Sequence, residues 1–264
     1  MSFLKAVQIH HSYFTPKTAI KALEDISFEV EEGEFISFLG PSGCGKTTLL
    51  SIISGLIQPT SGSIYLENDP LQKKRFSIGY MLQQDYLFPW KTIEENILLG
   101  LKLMNQLDNE TRAAALGLLN EIGLEGVEKQ FPRHLSGGMR QRAALARTLA
   151  VDPKLLLLDE PFSALDYQTK LKLEDLVFET LKMYKKTAIL VTHDIGEAIS
   201  MSDRVFLFSA KPGRLHQVFT IPEELRNLTP FQSRSHPLYS ELFQTIWKEL
   251  ESLESGPRPT STPS

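Results

Sequence analysis

The run Gly40-Pro41-Ser42-Gly43-Cys44-Gly45-Lys46-Thr47-Thr48 is the segment of this chain best equipped for chemistry. It satisfies the pattern Gly-x4-Gly-Lys-[Ser/Thr]. Its glycines allow a tight turn whose backbone N–H groups point inward at phosphate oxygens, and a helix starting at the end of the turn adds a favourable dipole. In that arrangement Lys46 reaches the β- and γ-phosphates of a nucleotide, and the Thr47 hydroxyl ligates Mg2+. Cys44 is the only cysteine. It supplies backbone to the loop and no redox chemistry, and a single thiol rules out a disulfide framework or a Cys-based zinc site.

Two further segments carry groups of the right kind. Lys154-Leu155-Leu156-Leu157-Leu158-Asp159-Glu160 reads as a buried strand ending in two carboxylates. At the C-terminal edge of an open α/β sheet, where ligands bind, Asp159 is expected to hold Mg2+ mostly through its water shell. Glu160 is expected to polarise the attacking water as general base. The third segment, Leu135-Ser136-Gly137-Gly138-Met139-Arg140-Gln141, directly precedes a helix. Ser136 is a good N-cap, but two glycines exceed what capping needs; small residues and free N–H groups suit close approach to a phosphate. Since Gly40–Thr47 already cradles one triphosphate, this second helix start is expected to serve a nucleotide bound to another subunit.

The elements that must position these residues follow from apolar periodicity. Alternation in 6–9 and 26–30 predicts strands, and Gly33-Glu34-Phe35-Ile36-Ser37-Phe38-Leu39 reads as a short buried strand running into the glycine turn. A helix follows through about Leu56. From Pro89 to about Ala150 the pattern changes to helix, over 92–103, 109–122 and 139–149, with Asp108 or Asn109 capping the middle one and Gly123 closing it. Strands return at 154–158, 187–192 and 204–208. Strand, glycine turn and helix in that order predict a parallel α/β core, here interrupted by a helical insertion. In 236–253, Leu238, Leu242, Ile246 and Leu250 recur every four residues beside Tyr239, Phe243 and Trp247, a wide apolar stripe expected to pack on the protein's own core.

The 264 residues carry 28 Lys and Arg against 32 Asp and Glu, a formal charge of −4, with 42% hydrophobic residues. Such a balance argues against a large basic surface, and no nucleic-acid partner is expected. Apolar runs stop far short of the about 20 residues a membrane-spanning helix needs. The first ten residues lack the uninterrupted apolar stretch of a signal peptide. A cytosolic protein that does not itself cross a membrane is expected.

With these motifs in hand, residues of about 3 to 215 resemble the nucleotide-binding subunit of an ABC transporter. The resemblance implies an α/β fold: a P-loop NTPase (ABC ATPase) core with an antiparallel β subdomain and a helical insertion subdomain. It divides the chain into a core with an N-terminal β subdomain (1–88), a helical signature subdomain (89–150), the rest of the core (151–220), a C-terminal helical extension (221–255) and a disordered tail (256–264). In that family each ATP lies between the phosphate loop of one subunit and the Leu-Ser-Gly-Gly signature of its partner, here Ser136, Gly137 and Gly138. Tyr13 then matches the aromatic that stacks on adenine, with the adjacent Phe14 the alternative. Gln83 matches the glutamine that senses Mg2+ and the attacking water. Asp166, in Ser163-Ala164-Leu165-Asp166, matches the loop that crosses the dimer interface, and His193 the switch histidine near the γ-phosphate. No catalytic motif is missing, which implies an active, Mg2+-dependent ATPase.

Phe88-Pro89-Trp90 followed by Thr92-Ile93-Glu94-Glu95-Asn96-Ile97, Ser209-Ala210-Lys211-Pro212-Gly213-Arg214 and the helix around Ile246-Trp247 resemble the nitrate/sulfonate/taurine importer subgroup, which also includes importers of thiamine precursors. That resemblance implies several partners: a second ATP-binding subunit, expected as a homodimer, transmembrane permease subunits docked near 84–90 and, indirectly, an extracytoplasmic solute-binding protein. It puts the chain on the cytoplasmic side of the membrane, peripherally attached. The competing readings are an exporter or lipoprotein-release ATPase, a soluble ABC ATPase of translation or repair, and a P-loop kinase. The last is disfavoured because no kinase needs Leu-Ser-Gly-Gly.

Overall fold

The structure, a computed structural model, describes residues 2–16, 18–74 and 77–254. Two sheets organise it. The first is antiparallel, in the order β2 (Ala19–Val30), β1 (Leu4–Phe14), β4 (Ser61–Leu66), β5 (Asp69–Pro70). The second has six strands in the order β10 (Arg214–Thr220), β9 (Arg204–Ser209), β3 (Phe35–Leu39), β8 (Thr187–Thr192), β7 (Leu155–Asp159), β6 (Ile78–Met81). Strands β9, β3, β8, β7 and β6 run parallel, and β10 closes the edge antiparallel to β9.

The parallel strands are short and apolar because both of their faces are covered. Every residue of β3, β7 and β8 is buried. One face shares a core with the antiparallel sheet, where Phe38 lies edge-on to Phe28, Phe206 and Phe208 at 5.4, 6.0 and 5.1 Å between ring centroids. Leu49, Leu50, Ile52 and Ile53 of α1 (Lys46–Ile53) complete that core. The sequence predicted this helix to run on to about Leu56. It stops at Ile53 because Gly55 takes a left-handed φ of 76° and turns the chain, Leu56 N donating back to Ser51 O at 3.0 Å. The short helix α2 (Leu71–Lys74) then leads toward β6.

Between β6 and β7 lie only helices: α3 (Ile93–Ile97), α4 (Leu99–Leu103), α5 (Asn109–Glu121), a 3-10 turn at Pro132–His134 and α6 (Gly137–Leu149). The single helix expected over 92–103 is therefore two short ones meeting at Leu98, the first opened by a Thr92–Glu95 capping box. Asp108, not Asn109, caps α5, accepting the Thr111 N–H at 2.8 Å. These helices share an apolar core with the outer side of β7 and β8 and with α7 (Tyr167–Met183).

After β8 come α8 (Ile195–Met201), the β9–β10 hairpin, α9 (Glu223–Arg226), α10 (Pro230–Ser233) and α11 (Pro237–Glu254). The apolar stripe of α11 does pack inward, with Ile246 fully buried and Leu238, Tyr239, Leu242, Phe243 and Leu250 against α8 and β9. The tail expected over 256–264, with Ser255 before it, lies outside the described residues. Among the described residues no helix is long and apolar enough to cross a membrane.

Candidate active site

The phosphate loop spans the gap between β3 and α1. Gly45 caps α1 with a φ of 92°, a left-handed conformation at a point where a Cβ would sit 2.6 Å from Leu23 Cδ2, so only glycine serves there. Lys46 folds back over its own loop, donating to the carbonyls of Gly40 at 2.6 Å and Pro41 at 3.1 Å. Cys44 is buried beneath it, Sγ 3.6 Å from Lys46 Nζ, and burial pushes its thiol up. An unreactive, protonated thiol agrees with a purely structural role.

The ends of β6, β7 and β8 deliver the acidic, polar and imidazole groups. Thr47 Oγ1 donates to Asp159 Oδ1 at 3.2 Å, and the Tyr80 hydroxyl donates to Asp159 Oδ2 at the same distance. Burial raises the Asp159 carboxyl above its ordinary range, with the neighbouring Glu160 charge acting in the same direction. Nearby positive charge favours the ionised form of such a group. Glu160, one residue on, has a left-handed φ of 46°, an uncommon conformation for a residue with a side chain, and its N–H donates to Val191 O at 2.9 Å. Its Oε2 accepts from Gln83 Nε2 at 3.4 Å and lies 3.2 Å from His193 Nδ1. Gln83 also donates to Ser163 Oγ at 3.2 Å. Residues from the ends of β6, β7 and β8 thus converge on one carboxylate.

A cleft of about 720 Å3 opens beside the loop, lined by Tyr13, Ile20, Lys21, Ala22, Ser42 to Thr48, Glu160, Lys211 and Pro212. Tyr13 points its hydroxyl to Thr48 Oγ1 at 3.2 Å, whereas Phe14 is absent from the lining and 74% exposed. Lys211 and Pro212 reach the cleft because the β9–β10 turn is pressed on the phosphate loop: a Cβ on Gly213 would fall 2.0 Å from Cys44 O. Gly213 also exchanges backbone hydrogen bonds with Ala22 and Glu24 at 2.9 Å each.

Ser136 caps α6 as expected, accepting Met139 N–H at 3.3 Å, and is exposed. It, Gly137 and Gly138 are not in the cleft lining. Gly138 is required for packing as well: a Cβ there would meet Thr169 Cγ2 at 2.6 Å, so α6 and α7 start side by side. Asp166 caps α7, accepting Thr169 N–H at 3.1 Å, and the Thr169 hydroxyl together with that N–H holds its carboxyl below the ordinary range.

Helix α6 also grips the segment after Gln83. Gln141 Nε2 donates to Gln83 O at 3.1 Å, Arg140 pairs with Asp85 at 3.0 Å, and Arg147 donates to the carbonyls of Asp85 and Tyr86 at 2.7 Å each. Tyr86 and Trp90 stand exposed beyond these anchors, while the fully buried Asn96 side chain bonds both N–H and C=O of Phe88. Nothing in the sequence marks Tyr80 or Lys21 for the site, and Lys211 is legible only as part of the segment 209–214. Tyr80 sits at strand period like its neighbours, Lys21 lies on β2, and Lys211 reaches the cleft through the packing of the β9–β10 turn on β2 and the phosphate loop.

The cleft, with a lysine over a glycine loop at one end and a carboxylate flanked by amide and imidazole at the other, is built to hold a polyphosphate and place water against it. The donors near the loop end are hydroxyl, carboxylate and amide oxygens, a set suited to a hard divalent cation. Among the described residues no group of three or more His, Cys, Asp or Glu side chains is placed to hold a metal ion.

The chain is similar to known proteins over most of its length. Residues 23–163 match the family model described as ABC transporter. An uncharacterized ABC transporter ATP-binding protein of Bacillus subtilis, YtlC, is 65% identical over 258 residues, covering 98% of this chain and 99% of that one. An aliphatic sulfonates import ATP-binding protein, SsuB, of Bacillus cereus is 41% identical over 92% of this chain and 93% of its own length. A taurine import ATP-binding protein, TauB, of Pelagibacter ubique is 40% identical over 84% of both chains. Among solved structures, the dimeric post-hydrolysis state of the ATP-binding cassette MJ0796, bound to ADP and Pi, superposes with a TM-score of 0.73 at 34% identity, covering 83% of this chain and 99% of that one.

Proposed function

The chain belongs to the ABC transporter family as an ATP-binding, ATP-hydrolysing subunit, and from that premise we propose that it powers an importer of a small anionic or sulfonate-like solute or of a vitamin precursor. The observation that carries the catalytic part is the convergence of Gln83 and His193 on Glu160, at 3.4 and 3.2 Å, beside the Asp159–Thr47 pair. The importer part is supported by about 40% identity to SsuB and TauB over most of their length.

In this reading the backbone of Ser42 to Thr48 and the Lys46 ammonium hold the phosphates, and Tyr13 stacks on adenine. Glu160 accepts a proton from the attacking water while Gln83 orients that water and His193 approaches the γ-phosphate. Thr47, Gln83 and Asp159 would hold Mg2+, whose chemistry is to neutralise charge on the phosphate oxygens. Phosphoryl transfer asks chiefly for positioning and charge neutralisation, which these groups supply.

Ser136, Gly137 and Gly138 lie outside the chain's own cleft and serve the nucleotide of a second subunit, with Asp166 at the interface between the two. The dimer of MJ0796 supports that arrangement. Two subunits then close over two nucleotides, and hydrolysis releases the tie. The helices of 89–150 carry the signature, and the exposed Tyr86 and Trp90 meet permease subunits on the cytoplasmic side of the membrane, with a solute-binding protein outside. Glu160→Gln is expected to lower turnover by about a hundredfold or more, the order of a general base, and to trap an ATP-bound dimer. A variant that elutes only as monomer from size exclusion in MgATP refutes the clamp. ATP-dependent uptake of radiolabelled taurine or an alkanesulfonate into vesicles with the neighbouring permease distinguishes import from export.

A further inference from the structure

Behind His193 lies a group of buried and half-buried charges that the hydrolysis steps above do not use. Lys170 on α7 bonds Asp194 Oδ2 and Glu197 Oε1, each at 2.6 Å. Asp194 Oδ1 accepts the N–H groups of Gly196 at 2.7 Å and Glu197 at 3.2 Å, so the residue next to His193 caps α8. One turn along α7, the fully buried Glu174 pairs through Oε2 with Arg234 at 2.6 Å, and Arg234 also donates to Pro230 O at 2.9 Å. Arg234 comes from the C-terminal extension, as does Tyr239.

Tyr239 is where that extension meets the start of α8. A Cβ on Gly196 would lie 2.7 Å from the Tyr239 hydroxyl and 3.0 Å from Asp194 Oδ1. Gly196 has no left-handed φ, so the backbone does not demand glycine; the room for Tyr239 does. The same Cβ would lie 4.0 Å from Arg234 Nη2, so the Tyr239 oxygen, Asp194 and Arg234 gather around one backbone position; burial raises the Tyr239 phenol there.

We propose that the C-terminal extension is a positioning device for hydrolysis: Tyr239 seated on Gly196, and Arg234 on Glu174, fix the start of α8 and the loop that presents His193 to Glu160. This rests on the reading of His193 as the residue that approaches the γ-phosphate. Lys170, held between Asp194 and Glu197, and Arg234, held between Glu174 and the Pro230 carbonyl, have few alternative partners, so a displaced α11 is transmitted to the His193 loop and not absorbed. A misplacement of about 1 Å in a catalytic group costs up to about a hundredfold in rate.

The test uses MgATP hydrolysis by the purified full chain. G196A, which a helical backbone accepts, pushes on the Tyr239 oxygen; kcat is expected to fall about tenfold with KM for ATP changed less than about twofold. G196A/Y239F removes that oxygen and is expected to regain kcat to within about threefold of wild type. A wild-type kcat per folded molecule in G196A, or no recovery in the double variant, overturns the proposal. If G196A does not fold, Y239A takes its place: it withdraws the prop, lowered kcat at unchanged KM supports the proposal and an unchanged kcat overturns it. H193A in the same assay separates the two levels. If H193A hydrolyses at the wild-type rate, the reading of His193 itself fails; if H193A is inactive while G196A and Y239A are fully active, only the positioning role fails.

Discussion

Glu174→Gln is expected to reverse part of a stability loss that the native chain suffers as pH rises. Glu174 is fully buried on α7, its Oε1 has no hydrogen-bond partner among the described residues, and burial pushes its carboxyl from 4.5 up to about 7. Arg234 and Lys170 oppose the shift and Glu197 adds to it. Glu174 therefore binds its proton more tightly folded than unfolded. Its neutral form loses nothing below about pH 4.5, and the folded state becomes progressively less favoured through about pH 7. The whole effect is about 2.5 pK units at 1.36 kcal/mol each, or about 3 kcal/mol. For a protein of this length that is a shift of about 5 °C in Tm. Gln cannot ionise, so the Tm of E174Q minus that of wild type should grow by about 5 °C between pH 5 and pH 8.5. Differential scanning fluorimetry of both proteins across that range, at constant ionic strength, makes the measurement. A difference that stays flat, or grows toward low pH, refutes the assignment of Glu174 as the proton-holding member of the cluster.

Other expectations concern the site and its supports. Tyr13→Ala should raise KM for ATP by about tenfold, the loss of one base–aromatic stack, while Phe14→Ala leaves it unchanged in steady-state kinetics. Thr47→Val keeps the shape of the side chain but removes its oxygen, and should weaken the apparent Mg2+ affinity by about tenfold in a Mg2+ titration of the ATPase rate. Asn96→Ala strips the Phe88 N–H and C=O of their partners and should destabilise the fold by about 2 kcal/mol, read as a lower urea midpoint.

Much of this site could be read from the sequence because phosphate chemistry is local. A glycine loop followed by Lys46 and Thr47 needs only its own nine residues, and a strand ending in Asp159 and Glu160 declares its direction by its apolar run. Ser136 as N-cap and the cap of α5 at Asp108 or Asn109 are equally local, one side chain to a backbone N–H about three residues on, and the structure selects Asp108. Two features were hidden because they depend on contacts across the fold. The bond from Tyr80 to Asp159 joins residues 79 apart. The place of Lys211 in the cleft follows from Gly213 meeting the Cys44 carbonyl. Two local breaks also differ from the apolar pattern: the helix over 92–103 divides at Leu98 although its apolar spacing continues, and Gly55 ends α1 before the apolar Leu56. Tyr13 against Phe14 is a choice that sequence left open, since strand alternation puts them on opposite faces without saying which is the cleft; only Tyr13 lines it.

The three grips of α6 on residues 83–86 have a consequence for how two nucleotides would be counted. In the proposed dimer one rod carries, at its start, the group that meets the partner's ATP and, along its length, the hydrogen bonds from Gln141, Arg140 and Arg147 that hold the sensor of its own. Neither end moves alone. Occupancy of one cleft is then felt mechanically at the other, and the rate should rise with ATP more steeply than a hyperbola, with a Hill coefficient above one that collapses when Arg147 is cut back to Ala.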